Sequence, residues 1–288
     1  MIKTKLAAAA YALCLAGALS TSFNAAAEAG KTWSTVRIAT EGAYHPYNFT
    51  KPDGTLNGME IELYKVLCEN MKVKCEIMVQ PFASSILALN AGKFDAIISG
   101  MSATPKRREV IDFSQPYTQA GQTFAVLKSS PLASLPDLGT RFSLNEKDEA
   151  TAIAEVEKLR PLLKGKTIGV QSASIASTLL DKYFKGMMTV REYKTMQEHD
   201  LDLKAGRVDL VIGSAPYMKN TADKSNGEIV MAGPQFIGGI LGSGSSIGLR
   251  KSDPELKAMF DKAIDQAKAD GTIKRLSEKW FGMDTTPL

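Results

Sequence analysis

Residues 87–98 read LALNAGKFDAII, and residues 201–212 read LDLKAGRVDLVI. Both stretches carry two leucines, the dipeptide Ala-Gly, a basic residue and an aspartate before an apolar run. The pattern predicts the end of a helix, a left-handed glycine C-cap (Gly92 in the first copy) and a buried parallel strand. We infer that one structural unit occurs twice. The alternative is a common helix-to-strand junction that recurs by chance.

The regions upstream of the two copies also resemble each other. Residues 36–40 (VRIAT) and 167–170 (TIGV) are short β-rich runs, and each precedes a small-residue turn and then an amphipathic segment. Strand, helix and strand in that order predict right-handed βαβ units. The expected fold is therefore α/β, with two lobes that each contain a mostly parallel sheet flanked by helices.

Further helices are predicted from apolar spacing. One helix follows Gly58, and another starts at Asp253-Pro254 and stops at Gly271, with a short final helix behind it. The charged stretch 145–163 has apolar residues at helical spacing, which predicts an amphipathic surface helix.

The amino terminus has the pattern of a secretory signal peptide. Lys3 and Lys5 precede an apolar run over residues 6–19, and residues 25–27 are three alanines. A membrane anchor is the alternative, but an apolar run of about 14 residues is shorter than the roughly 20 that span a bilayer. We expect residues 1–27 to be removed and the chain to be exported.

Two cysteines, Cys68 and Cys75, follow this segment. In an oxidising compartment an even number of nearby cysteines favours a disulfide, with two free buried thiols as the alternative. The two histidines, His45 and His199, are far apart in sequence and lack acidic or cysteine neighbours at ligand spacing. No zinc or other metal site is predicted.

Composition and motifs exclude several function classes. The formal net charge of +4 is small and includes the two lysines of the predicted signal, so nucleic acid is not an expected partner. Gly242, Gly244 and Gly248 miss the dinucleotide-binding spacing, and no phosphate-binding loop or nucleophile motif occurs. We expect no cofactor and no catalytic activity.

Polar and aromatic residues follow the predicted strands, where ligands bind in open α/β sheets. These candidate site residues are Glu41, Tyr44, Phe82, Ser99, Gly100, Ser102, Arg107, Ser172, Ser174 and Ser214.

Four segments carry a family resemblance over about residues 35–283. They are residues 36–47, residues 94–117 (FDAIISGMSATPKRREVIDFSQPY), residues 164–170 (KGKTIGV) and residues 271–282 (GTIKRLSEKWFG). In these motifs the chain resembles the periplasmic polar-amino-acid-binding proteins of ABC importers. It looks most like the opine (octopine and nopaline) binders, and next most like the lysine/arginine/ornithine and histidine binders. The cysteine spacing is similar to the disulfide of the cationic binders.

The resemblance implies a two-lobe clamp of the type II periplasmic binding protein fold. It places one lobe at residues 28–120 and 233–288 and the other at residues 121–232. Crossings between the lobes are expected near residues 115–122 and 230–235, which adds Gln122 to the candidate site. The implied partners of this periplasmic, monomeric protein are a small-molecule ligand and an inner-membrane permease.

The family's carboxylate-binding residues correspond to Arg107 and its neighbours. Arg107 would bind the ligand's α-carboxylate, and Arg108 is the competing candidate. Ser99, Gly100 and Ser102 would add hydroxyl and backbone donors. The alternatives are purely structural roles, in which the serines cap helices and the arginine pairs with a surface acid.

Four further residues take the remaining roles that the resemblance implies. Ser174 would present a helix start to the same anion. Tyr44 and Phe82 would sandwich the ligand's aliphatic or cationic portion, with Phe82 as a core residue being the alternative. Glu41 would accept hydrogen bonds from a guanidinium, amine or hydroxylated tail.

Ser214 departs from the pattern of ordinary amino-acid binders. Those proteins carry an aspartate there for the ligand's α-ammonium, whereas the opine binders resemble this chain in having serine. A secondary amine with a second acid arm would be repelled by that aspartate. The hypothesis is therefore an opine or a similarly N-substituted amino acid, with a plain cationic amino acid as the alternative.

A periplasmic dehydratase on the same fold is a third possibility. It would need a general acid in the cleft, and Glu41 is the only evident carboxylate there. We expect the charge of Arg107 to keep Glu41 ionised, which argues against this reading.

Overall fold

Two separate β-sheets organise the part of the chain that this computed structural model describes, residues 31–287. The predicted signal peptide lies outside the described residues. Within them, no helix has the length and apolar character needed to cross a membrane. The strands are β1 Thr35–Thr40, β2 Ala43–Tyr44, β3 Asn48–Thr50, β4 Leu56–Asn57, β5 Lys74–Val79, β6 Ala96–Ile97, β7 Asp112–Thr118, β8 Gln122–Leu127, β9 Arg141–Ser143, β10 Thr167–Gln171, β11 Thr189–Tyr193, β12 Leu210–Ser214, β13 Ile229–Ile237 and β14 Ser245–Leu249.

Seven α-helices lie between these strands, and α8 and α9 follow the last one. They are α1 Met59–Met71, α2 Ser85–Asn90, α3 Pro105–Arg108, α4 Glu149–Leu163, α5 Ile175–Tyr183, α6 Met196–Lys204, α7 Ala215–Asp223, α8 Pro254–Ala269 and α9 Thr272–Phe281.

The first lobe is built on a sheet with the order β5-β1-β6-β14-β7. Helices α1, α8 and α9 pack on it, and a small antiparallel sheet, β2-β3-β4, lies at its edge. The second lobe has the order β11-β10-β12-β8-β13-β9, with α4 to α7 around it. Phe124, Phe184 and Phe236 form edge-to-face pairs in the core of the second lobe.

The repeated sequence forms the same unit in both lobes. Helix α2 ends before Gly92 (φ 73°) and leads to β6, and α6 ends before Gly206 (φ 66°) and leads to β12. Each of these strands pairs in parallel with the strand that opens its lobe, β1 or β10. The predicted two-lobe α/β fold is therefore confirmed, although β6 is shorter than the apolar run suggested.

Each sheet is mostly parallel, as predicted, and contains one antiparallel strand. Strand β14 runs antiparallel to β6 and β7, and β8 runs antiparallel to β12 and β13. These strands flank the places where the chain passes between lobes, so they enter each sheet from the opposite direction.

The chain passes from the first sheet to the second between Thr118 and Gln122, and it returns between Ile237 and Ser245. The return lies downstream of the expected segment, residues 230–235, because β13 continues and its Gln235 pairs with Arg141 of β9. The lobe boundaries drawn from the sequence stay a prediction.

Two local predictions have clear outcomes. Cys68 at the end of α1 and Cys75 in β5 form the predicted disulfide. The stretch 145–163 contains helix α4, but Ile153 and Leu162 are exposed rather than part of its buried face. Helix α4 buries Val156 and Leu159 against the core of the second lobe.

Candidate functional site

A cavity with an empty volume of about 600 Å³ lies where residues from both lobes meet. Its walls come from the carboxyl ends of strands in both sheets, as the fold class favours. Ten of the eleven predicted site residues line it: Glu41, Tyr44, Phe82, Ser99, Gly100, Ser102, Arg107, Gln122, Ser174 and Ser214.

Arg107 presents its guanidinium to this cavity. Its backbone N–H is capped by the Thr104 hydroxyl, which fixes the start of α3. Nη1 donates to the Ser102 carbonyl oxygen at 2.9 Å, and Nη2 donates to the Ala173 carbonyl oxygen of the other lobe, also at 2.9 Å. Among the described residues, no carboxylate oxygen lies within 4.0 Å of this guanidinium, so the surface-pairing alternative does not fit.

The electrostatic state of Arg107 suits an anion. Burial lowers the pKa of its guanidinium to about 10, which leaves it cationic at neutral pH. The competing candidate, Arg108, instead pairs with Asp112 at 3.7 Å and is not among the residues that line this cavity. A desolvated cation that bonds only to carbonyl oxygens can receive a carboxylate at short range.

One of the predicted donors beside Arg107, the Gly100 N–H, is engaged by the protein itself, and the Ser99 hydroxyl has a protein donor. The Gly100 N–H donates to Oε1 of buried Glu60 at 2.7 Å, so its predicted role toward a ligand carboxylate does not fit this structure. The Ser99 hydroxyl accepts from the Glu41 N–H at 2.9 Å. Ser102 lines the cavity, and its carbonyl orients Arg107.

Gly100 has a second, steric role. Its φ of 58° lies in the left-handed region, and a Cβ there would approach Cε1 of Tyr44 to 2.6 Å. Glycine therefore allows the Tyr44 ring to lie against this turn.

The amino terminus of α5 forms another part of the wall. The Ser174 hydroxyl caps the helix by accepting from the Ser177 N–H at 3.1 Å. Ile175 and Ala176, the first two residues of α5, line the cavity. First-turn amides have no acceptor within the helix, so this end favours an anion near Arg107.

The aromatic residues are arranged differently from the predicted sandwich. Tyr44 stacks with Tyr47 at 4.7 Å and with Tyr217 of the other lobe at 5.4 Å, so protein rings contact its faces. Phe82 lies 5.4 Å from the Arg107 guanidinium carbon, a cation–π distance. Phe82 therefore supports the arginine in this conformation.

Glu41 is buried in the cavity wall, and its Oε1 accepts from Nε2 of Gln171 at 2.6 Å across the lobes. Burial raises the pKa of this carboxyl to about 7, and the nearby Glu60 carboxylate adds to the effect. The expectation that Arg107 keeps Glu41 ionised is therefore wrong, because desolvation dominates.

Ser214 ends β12, is the N-cap residue of α7 and is buried in the cavity wall. Its hydroxyl accepts from the Tyr44 hydroxyl at 2.6 Å. Gln122 pairs with Ser214 in the register of β8 and β12 and also lines the cavity. Neither Ser214 nor Gln122 carries a charge, and Glu41 is the only carboxylate-bearing residue among the described cavity walls.

Ser172 is the predicted residue that the cavity does not include. Its hydroxyl donates to the Tyr193 carbonyl oxygen at 3.0 Å and joins two adjacent strand ends. Ten cavity residues were not selected from the sequence: Tyr47, Ala120, Gln171, Ile175, Ala176, Met196, Ile212, Gly213, Gly244 and Ser245. Gln171 ends β10 directly before Ser172, so the strand-end rule also pointed to its position.

Within residues 31–287, no group of three or more His, Cys, Asp or Glu side chains is arranged to hold a metal ion. The site as described consists of hydrogen-bonding groups, one arginine, one glutamate and aromatic rings.

The sequence profile of the bacterial extracellular solute-binding proteins, family 3, matches residues 36–283. The chain belongs to this family. The match confirms the family predicted from the sequence, and it identifies the chain as a binding protein rather than an enzyme. The cleft between the lobes is therefore the candidate binding site of this solute-binding protein.

Relatives and solved structures agree with that assignment. The solute-binding protein is 42% identical to the octopine-binding periplasmic protein of Rhizobium meliloti, over 92% of this chain and 96% of the relative. It is 33% identical to the L-arginine-binding protein of Pseudomonas aeruginosa, over 86% of this chain and 88% of the relative. An ancestral arginine-binding protein bound to arginine superposes with a TM-score of 0.73 at 30% identity, over 88% of this chain and all of the other.

Proposed function

We propose that this solute-binding protein binds an opine, or a similarly N-substituted amino acid, in the periplasm. The lobes close on the ligand, and the closed form delivers it to the permease of an ABC importer. Cleavage of the predicted signal peptide would place the chain in that compartment.

The observation that carries the opine proposal is the neutral Ser214. A free α-ammonium buried beside Ser214 and Tyr44 would lack a carboxylate counter-charge, which costs several hydrogen-bond and Coulomb contributions. The nitrogen of octopine or nopaline carries a second acid arm in addition to the α-carboxylate. Replacing the usual aspartate by serine removes a group that would repel that arm.

Charge distribution in the rest of the cavity suits the same ligand class. Arg107 and the first turn of α5 together form an anion-binding corner for a carboxylate. Glu41 supplies an acceptor for a guanidinium or hydroxylated tail. The octopine-binding relative, at 42% identity, supports the proposal.

Isothermal titration calorimetry of the purified chain against octopine, nopaline, a mannityl opine, arginine and lysine tests this function. We expect one of the opines to bind more tightly than either amino acid. Tight binding of arginine or lysine with no heat from any opine would reject the opine and leave a solute-binding protein for cationic amino acids.

A plain cationic amino acid is the second candidate. It is favoured by Glu41, whose carboxylate matches a guanidinium or ammonium tail, and by the arginine-binding relative at 33% identity. The same titration separates the two candidates, because octopine and nopaline carry a second acid arm that arginine and lysine lack.

A further inference from the structure

The two lobes also meet outside the binding cavity, at a contact between the segment after β2 and helix α7. His45 of the first lobe and Lys224 of the second lie with Nε2 and Nζ 2.9 Å apart. Neither residue is among those that line the binding cavity. They border a separate small cavity on the lobe boundary.

A second cross-lobe pair belongs to the same contact. Tyr217 of α7 stacks on Tyr44 with nearly parallel rings, 14° apart. Tyr217 and Lys224 are seven residues apart, so they lie on one face of α7 and its C-cap. This face meets two consecutive residues of the first lobe, Tyr44 and His45.

On each side of the contact, other residues of the same lobe position the contacting side chains. The Tyr217 hydroxyl donates to Oδ2 of Asp200 on α6 at 2.8 Å, and the Thr221 hydroxyl donates to the same oxygen at 3.0 Å. The His45 ring lies 4.1 Å from the ring of Phe49. The contact therefore joins two preorganised surfaces.

We propose that His45 with Lys224, and Tyr44 with Tyr217, form a closure latch that sets the balance between open and closed lobes. His45 and Lys224 act as positioning residues, since they stabilise the closed arrangement without lining the binding cavity. A group that changes only this balance changes the apparent affinity of every ligand by the same factor. A uniform change in affinity therefore distinguishes a latch residue from a residue that contacts the ligand.

The ionisation of His45 fits the latch geometry. Burial and the Lys224 charge lower the pKa of His45 to about 4, so the ring is neutral at pH 7 and its Nε2 accepts from the ammonium. The other charged groups around this cavity are Asp200 and Lys204 of α6, and Asp200 already accepts two hydroxyl donors. A histidine in water has a pKa of about 6.5, so closing the lobes releases a proton below that pH. Acid therefore favours the open form.

Lys224→Met tests the latch. We expect it to weaken octopine and arginine binding at pH 7.5 by one common factor, roughly two- to tenfold, as measured by calorimetry. Lys224→Arg keeps a cationic donor and should restore much of the affinity. Lys182→Met is the matched control, because Lys182 is a lysine of the same lobe that pairs with Glu149 on the surface. It should bind like the wild type.

The same titrations at pH 7.5, 6.5 and 5.5 add a second readout. Wild-type affinity should fall toward acid more steeply than that of Lys224→Met, because the variant lacks the repulsion between Lys224 and protonated His45. Titration of Glu41 in the cavity contributes to the pH dependence of affinity in both the wild type and Lys224→Met. The difference between their two pH dependences therefore measures the effect of the latch. Wild-type affinity in folded Lys224→Met, or a loss confined to one ligand, would overturn the proposal. Any ligand that binds can be used to measure the change in affinity caused by Lys224→Met. This test therefore remains valid if the opine proposal fails.

Discussion

At the scale of single residues, Arg107 gives the clearest prediction. Its guanidinium bonds to one carbonyl oxygen from each lobe and contacts no carboxylate within the described residues. Arg107→Ala should cost about 2–3 kcal/mol or more of ligand binding free energy, because a charge-assisted pair in a desolvated cavity is lost. Arg108→Ala is the neighbouring control, measured by the same calorimetry. Wild-type-like binding by Arg107→Ala, or a larger loss in Arg108→Ala, would refute the assigned role.

Glu41 gives a pH dependence at the same scale. Its pKa of about 7 means that the carboxyl is half protonated near neutral pH, whereas a cationic tail requires the carboxylate. Binding of arginine therefore releases a proton below pH 7, and affinity should rise by up to about tenfold per pH unit until it levels off above pH 7. Glu41→Gln should bind arginine more weakly and lose this slope, while the surface control Glu76→Gln keeps it. A slope that persists in Glu41→Gln would place the titrating group elsewhere.

At the residue scale, the sequence predicted which side chains line the cavity but not all of their hydrogen-bond partners. Strand-end position correctly brought nine residues into one cavity, because the carboxyl ends of strands meet at one edge of each sheet, and the expected lobe crossing added Gln122. It did not show that the Gly100 N–H turns to Glu60 or that the Ser172 hydroxyl turns to Tyr193. Those partners come from distant segments, and only the packed lobes bring them into contact.

At the scale of elements, the disulfide joins the end of α1 to the strand that follows it. The Cys68–Cys75 disulfide closes an eight-residue loop, which persists when the oxidised chain unfolds. Replacing both cysteines by serine should lower the free energy of unfolding by about 2.5 kcal/mol in the loop-entropy model. Urea denaturation measures this loss, and ligand affinity serves as the control because the loop lies outside the cavity walls. An unchanged unfolding free energy would contradict the structural role.

Element positions were readable from the sequence where spacing, caps and glycines agreed. Helix α8 begins at Pro254 after Asp253, and Gly271 with φ 74° follows its end, as the pattern predicted. The single antiparallel strand in each sheet, β8 or β14, was not readable, because strand direction depends on where the chain crosses between lobes. The exposure of Ile153 and Leu162 likewise depends on how α4 sits on its lobe.

At the scale of the whole molecule, the protein is a two-lobe clamp whose contacts between the lobes divide into two sets. Cavity contacts, such as Glu41 with Gln171 and Tyr44 with Ser214, involve groups that a ligand also meets. The His45–Lys224 pair of the latch lies outside the cavity, whereas Tyr44, which stacks on Tyr217 in the latch, also lines it. Variants of the first set should change the order of ligand preference, whereas Lys224→Met should shift all affinities together.

The uncharged Ser214 distinguishes an opine from a cationic amino acid as the proposed ligand, and Ser214→Asp tests this role. Calorimetry would compare the ratio of octopine to arginine affinity in the wild type and in this variant. We expect the wild type to prefer octopine. The new carboxylate should shift the affinity ratio toward arginine by about tenfold or more, because one charged hydrogen bond is worth about 1.5–3 kcal/mol. A wild type that prefers arginine, or a ratio that Ser214→Asp leaves unchanged, would contradict it.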